Sequence, residues 1–193
     1  MVLAAGLSER MRGDVPKQML PLGGLTLAGV TVRNAEGSSL DRVVVVTGHR
    51  SDEVAVAVGE GRAEIVVNPE YRQGNMTSFR AGAGALAGCD AIVVLLADMP
   101  GVTTAMIDSI VAEWHRSRPW AAVSSYTDGR AHPLLLSAAA LGEASQIEGR
   151  KGVWRFLDDA GDRVEAIIFD FPMPTDVNTP EQYGEVLLEL ETD

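Results

Sequence analysis

Valine-rich runs alternate along the chain with segments whose apolar residues recur at helical spacing. The runs RVVVVTG (42–48), AEIVVN (63–68), AIVVLLAD (91–98), WAAVSSY (120–126) and VEAIIFDF (164–171) predict strands. Their near-continuous hydrophobicity predicts burial on both faces, as in a parallel sheet covered by helices. Between them, 51–58, 77–87 and 103–116 predict helices. In the third, Met106, Ile107, Ile110, Val111 and Trp114 share one face. The stretch TPEQYGEVLLEL predicts a last helix, with Thr179 at the N-cap, Pro180 at the first helical position and Gln182 completing a capping box. The alternation predicts a three-layer, doubly wound α/β fold with a mostly parallel sheet, in one domain over residues 1–193.

Such sheets bind ligands beyond the carboxyl ends of their strands. The segments expected there are AAGLSERMRGDVPKQ, NPEYRQGNMTS, LADMPGV and PTDVNTP, and they hold most of the chemically expressive residues. The first lacks both the P-loop spacing and the G-x-G-x-x-G dinucleotide fingerprint. Its Ala4, Ala5 and Gly6 keep side-chain bulk away, so that backbone N–H groups can face a base or a phosphate. Arg10 and Lys17 then suit a polyphosphate, the alternative being a solvated basic turn.

Asp98 and Asp176 each precede a helix that has its own caps, in Thr103 or Thr104 and in Thr179 with Gln182. They are read either as exposed turn carboxylates or as hard oxygen ligands for Mg²⁺. In extended chain Asn178 points the same way as Asp176. Thr77 or Ser78 is expected to open the helix after the tight turn at Gly74. His132, before a proline, is expected to be extended and either to touch substrate or to pack. His49, His115 and His132 do not have zinc-ligand spacing.

Composition narrows the partners. A net charge of -11 speaks against a nucleic-acid surface or an anionic membrane as the main partner, so an anion must bind in a local basic pocket. One cysteine, Cys89, excludes an intrachain disulfide and a cysteine-rich metal site, which fits a reducing compartment. No apolar run spans a bilayer, and residues 1–8 lack the pattern of a secretory signal. The cytoplasm is the expected location.

The stretches LAAGLSERM with Lys17, NPEYRQGNMTSFRAG, LADMPGV, AHPLLLS and DVNTPEQY together resemble the MobA-like nucleotidyltransferases, the group of molybdenum-cofactor cytidylyltransferase and molybdopterin guanylyltransferase. The resemblance implies a Rossmann-like α/β domain that binds a nucleoside triphosphate with Mg²⁺. It would join a nucleoside monophosphate to a small phosphorylated acceptor such as molybdopterin, releasing pyrophosphate. It further implies that Arg10, Lys17 and Asp98 are catalytic and that Asp98 and Asp176 hold the metal. Leu3, Ala4, Ala5, Gly6, Ser8, Asn68, Gly74, Thr77 and Ser78 would line the nucleotide pocket with Arg10 and Lys17. His132, Arg150, Lys151 and Trp154 would face the acceptor, and the LAAG form looks like cytidylyl-type members, hence CTP before GTP. A molybdoenzyme would be the downstream partner. Two readings of other classes accompany this one. They are an NAD(P)H-dependent oxidoreductase of small aromatic compounds, and a cofactor-carrying chaperone, the latter suggested by an altered 149–155 stretch.

Overall fold

The computed structural model describes residues 1–8, 11, 15–147 and 152–192. In chain order the elements are β1 (Val2–Leu3), β2 (Pro21–Leu22), β3 (Leu25–Thr26), α1 (Leu27–Gly37), β4 (Val44–Thr47), α2 (Ser51–Val58), β5 (Glu64–Val67), α3 (Asn75–Ala85), β6 (Ala91–Leu96), α4 (Thr104–Ser117), β7 (Ala121–Tyr126), β8 (Gly129–Ser137), α5 (Ala138–Ala144), α6 (Gly152–Ala160), β9 (Val164–Ile168) and α7 (Pro180–Thr192). Seven strands form one sheet in the order β5-β4-β1-β6-β8-β7-β9, and β2 with β3 makes a small separate hairpin. All neighbours are parallel except that β8 runs against both β6 and β7. The sheet is thus the mostly parallel one that the valine runs predict.

Alternation within the strands divides the core. Val43 and Val45 enter one apolar cluster with Ala28 and Val32 of α1, Val54 of α2, and Met106, Ile107 and Ile110 of α4. Val44 and Val46 enter the opposite cluster with Met76 and Phe79 of α3, Ala140 of α5 and Leu157 of α6. Three layers follow, because each strand residue points to one face or the other. A third cluster joins Leu22 and Leu27 to Val177 and Val186, docking α7 beside the hairpin.

Several expectations need correction. The edge strands β5 and β9 are not buried on both faces: Val67 is 56% exposed and Ile168 73%. Strand hydrophobicity reports a sheet, and it cannot tell an edge position from a central one. Helix α3 opens at Asn75 after Gly74, not at Thr77 or Ser78; the Thr77 hydroxyl instead donates to the Gly74 and Glu70 carbonyls. The segment GRAHPLLLS is a full central strand, β8, although it carries Pro133. The register explains how that proline fits. Val123 pairs with Leu134 and Ser124 with Ala131, so His132 and Pro133 bulge out of the β7 ladder. Their carbonyls are taken by side chains: Tyr126 Oη donates to His132 (2.8 Å) and Ser124 Oγ to Pro133 (2.8 Å). A bulge removes the need for a ladder N–H that proline lacks.

Candidate functional site

The site lies beyond the carboxyl ends of β1 and its parallel neighbour β6. Two backbone bonds splice the loops to the sheet: Ala4 N–H donates to Val46 O (2.8 Å) and Ala97 N–H to Leu3 O (3.1 Å). Past Leu96 the chain turns through Asp98, and the Thr103 hydroxyl caps α4 by accepting from Met106 N–H (3.3 Å). Asp98 is therefore not needed as the cap, as the sequence suggests.

Asp176 reaches the same place from the far end of the chain. Val177 N–H donates to the Asp98 backbone carbonyl (2.9 Å), so the two segments run side by side. Val177 itself is fully buried against Leu22, Leu27 and Val186. Extended chain around it turns Asp176 and Asn178 the other way, into the cavity. The capping box then fixes the segment: Gln182 Oε1 accepts from Asn178 N–H (2.8 Å) and Thr179 N–H (3.1 Å), and Thr179 Oγ1 accepts from Gln182 N–H (3.3 Å).

Lys17 stands between Asp98 and Asn178. Its ammonium pairs with the Asp98 carboxylate and donates to Asn178 Oδ1 (2.8 Å). Both side chains of the ion pair are largely buried, Lys17 to 10% exposure and Asp98 to 18%. Burial pushes the Asp98 carboxyl above its ordinary range; Lys17 opposes that shift and Asp176 adds to it. Asp176 Oδ1 is, among the described residues, the one buried side-chain oxygen or nitrogen without a hydrogen-bond partner. Such an atom costs stability unless something polar meets it.

A buried amide shapes the first loop. Ser8 adopts a left-handed φ of 56°, its Oγ accepts from Lys17 N–H (3.0 Å) and donates to Gln18 Oε1 (3.0 Å), and Gln18 Nε2 donates to Gly6 O (3.3 Å). Behind the opposite wall Asn68 Oδ1 accepts from Glu70 N–H, and its Nδ2 donates to Thr77 Oγ1 and Ser78 Oγ (2.9 Å each). These contacts hold the loop 68–74 in one shape against the first turn of α3. The cleft between these walls measures about 490 Å³. That volume is in the range of small-molecule sites.

A model of the MobA-like NTP transferase domain matches residues 1–164. The chain belongs to that family. Among curated relatives, nicotine blue oxidoreductase of Paenarthrobacter nicotinovorans is 29% identical over 97% of this chain and 95% of its own. Molybdenum cofactor cytidylyltransferase of Escherichia coli is 28% identical over 95% and 92%. Bifunctional protein GlmU of Geotalea uraniireducens is 33% identical over 61% of this chain, which spans 26% of that longer protein. Two solved structures are similar over nearly the whole chain. Rv0371C of Mycobacterium tuberculosis in complex with manganese superposes with a TM-score of 0.82 at 29% identity, covering 97% of this chain and 96% of that one. A nucleotidyl transferase from Methanothermobacter thermautotroptrophicus does so with 0.84 at 26%, covering 100% and 97%. The MobA-like chain described here thus has the α/β nucleotidyltransferase fold.

Of the residues predicted for the nucleotide pocket and metal, Leu3, Ala5, Gly6, Ser8, Lys17, Gly74, Ser78, Asp98 and Asp176 line one cavity. Ala4, Asn68 and Thr77 stand behind its walls. Arg10, Arg150 and Lys151 lie outside the described residues. His132 and Trp154 come together, their rings edge to face at 5.6 Å, but neither lines the cavity. Sequence reasoning missed Gln18, Tyr71 and Arg72, all of which line it. The signals available were weak ones: Gln18 follows Lys17 directly, and Tyr71 and Arg72 precede the turn at Gly74. A second cavity of about 360 Å³, around Cys89 and Trp114 at the other end of β6, gathers none of the predicted residues.

His132 carries a prediction about pH. It is 8% exposed, and burial lowers its pKa from 6.5 to about 4. The folded chain therefore holds a neutral imidazole where the unfolded chain binds a proton. Stability is intact above pH 6.5 and is lost as pH falls from there toward 4. By pH 5 the loss from this group is about 2 kcal/mol, since each unit corresponds to about 1.36 kcal/mol. Urea midpoints of the wild type and of His132→Gln, compared at pH 7 and pH 5, should converge at the lower pH. An unchanged gap between them would mean that the imidazole is not held neutral.

Proposed function

We propose that the chain transfers CMP from CTP to a small phosphorylated acceptor of the molybdopterin type, with Mg²⁺, and releases pyrophosphate. The observation that carries this reading is the unpartnered, buried Asp176 oxygen in the same cavity as Asp98 and Lys17. Two carboxylates and the Asn178 amide oxygen form a hard, all-oxygen donor set, which is what Mg²⁺ takes before completing its shell with water and phosphate oxygens. The residues fit the ion. Asp98 and Asp176 would hold it, and when bound it supplies Lewis-acid neutralisation of phosphate charge.

The rest of the chemistry falls to the chain. An acceptor phosphate oxygen forms a bond to the α-phosphorus while the bond from that phosphorus to the bridging oxygen of the β-phosphate breaks, and pyrophosphate leaves with the electron pair. The nucleophile is already an anion, so no general base is required. Lys17, with Arg10, neutralises the charge that grows on the leaving group, and a largely buried position strengthens that effect. The clamp of Gln18 on Gly6 and Ser8 holds the loop that would pass along the triphosphate. The small side chain of Ala5 supports a cytidine-type base, and Tyr71 closes the wall beside it. Arg150, Lys151 and the His132–Trp154 pair are assigned to the acceptor. We place the reaction in the cytoplasm, ahead of a molybdoenzyme that receives the product. Among the described residues no helix is long and apolar enough to cross a membrane.

An oxidoreductase reading is favoured by one observation, the likeness to nicotine blue oxidoreductase of Paenarthrobacter nicotinovorans. The charge arrangement supports transfer instead: acids that need a cation facing a cavity that also holds a lysine. The test is pyrophosphate release when CTP and Mg²⁺ are mixed with a molybdopterin acceptor. Release with CTP is the expected result. Oxidation of NADPH with no pyrophosphate from any nucleoside triphosphate would replace this reading with the other.

A further inference from the structure

The position of Lys17 carries an inference that rests on the metal reading above. We propose that the Lys17 ammonium is a built-in stand-in cation, which neutralises Asp98 until a divalent metal displaces it toward the incoming phosphates. Three observations support this. The ammonium is shared between the Asp98 carboxylate and Asn178 Oδ1, both in the donor set assigned to the metal. Next to them the buried Asp176 oxygen has no partner, so the lysine satisfies part of the acidic site and leaves part open. Finally, the Lys17 backbone is anchored, because its N–H donates to Ser8 Oγ, while four methylenes separate that anchor from the charge.

The charges decide the behaviour. With Lys17 in place, Asp98 and Asp176 leave a net charge of about -1 in a largely buried cluster, which is tolerable without metal. A divalent ion on the same carboxylates repels the ammonium at a few ångströms, and burial makes that repulsion stronger than in water. The lysine then has one attractive direction left, into the cavity where the triphosphate is assigned. Metal and lysine thus compete for Asp98 in the free protein and cease to compete once phosphate oxygens are present. Weak metal binding before the nucleotide arrives, and tight binding of the pair, follow from one side chain.

The chain contains two lysines, Lys17 and Lys151, which makes the test direct. Carbon-13 labelling at lysine Cε yields two signals, with Lys151 as internal reference. Titrating Mg²⁺ alone into the labelled, nucleotide-free chain should shift the Lys17 signal in step with the metal's saturation, followed by thermal stabilisation. In parallel, Lys17→Met and Lys17→Gln should bind Mn²⁺ at least tenfold more tightly than wild type, read by the loss of free-ion EPR signal. Both variants are first checked for a cooperative melt, and Mn²⁺ should stabilise them more than it stabilises the wild type. A Lys17 signal that stays put at metal saturation, or variants that bind Mn²⁺ no better than wild type, would overturn the inference and leave the metal site standing. Absence of Mn²⁺ binding to all three proteins would instead remove the metal reading itself, and this inference with it.

Discussion

Replacing Asp98 by asparagine is expected to lower nucleotidyl transfer by about 10²–10³-fold or more, the range seen when one electrostatic element aimed at transition-state charge is removed. The substitution preserves size, and the backbone carbonyl that accepts from Val177 N–H is untouched. Asparagine also keeps an oxygen for the Lys17 ammonium, so the chain should remain folded. What disappears is one negative charge from the assigned metal site. Burial first, and Asp176 after it, push the Asp98 carboxyl up, and as an anion it repels a triphosphate that arrives without metal. Removing that repulsion should let a triphosphate bind more tightly without metal while turnover is lost. Initial rates and metal-free binding titrations on the same preparation separate the two effects. A variant within tenfold of the wild-type rate would take Asp98 out of the reaction.

The second large effect is expected from Gly48→Ala. An added Cβ at this position would lie 2.6 Å from the Cβ of Tyr71 and 2.9 Å from the Cβ of Ala5. Neither atom is the free end of a flexible side chain, so the loop after β4, the loop 68–74 or the first loop must move. Overpacking of this kind costs about 1–3 kcal/mol of stability. Tyr71 and Ala5 both line the cavity, so nucleotide affinity should fall along with stability, by about tenfold if 1.4 kcal/mol of the strain is carried by the bound state. Gly84→Ala, in helix α3 with open space around its added Cβ, is the control; it should leave affinity unchanged and lower stability not at all, since alanine favours a helix over glycine. Chemical denaturation and CTP titration of both variants check this.

Much of the fold was legible because burial writes itself into valine runs and capping boxes. Thr103, Thr179 and Gln182 cap where the sequence says they do. The missing pieces have physical causes. Pro133 argues against a central strand unless a bulge absorbs it, and a bulge depends on the pairing of distant strands. Helix α1 carries Gly29 and the β-branched Val30, Thr31 and Val32, and it owes its start to the Thr26 cap, whose hydroxyl accepts from Gly29 N–H (3.0 Å). Local propensity alone does not announce it. In the site, Asp98, Asp176 and Asn178 were readable because strand ends and a two-residue period place them. The partner of Lys17 was not. From sequence that lysine faces a triphosphate; in the fold its ammonium lies on Asp98 and Asn178, a contact spanning 161 residues for the latter. Tyr71 and Arg72 were missed for a similar reason, since a half-buried tyrosine and an exposed arginine in a loop look like any others until the sheet brings Ala5 and Gly48 beside them.

Calorimetric titration of the full chain with CTP, GTP, ATP and NADPH, each with and without Mg²⁺, tests the assignment of the cavity most directly. We expect CTP to bind with Mg²⁺, to bind far more weakly without it, and to outcompete GTP, with no saturable binding of NADPH. Binding of NADPH that is tighter than that of every triphosphate and indifferent to Mg²⁺ would contradict it.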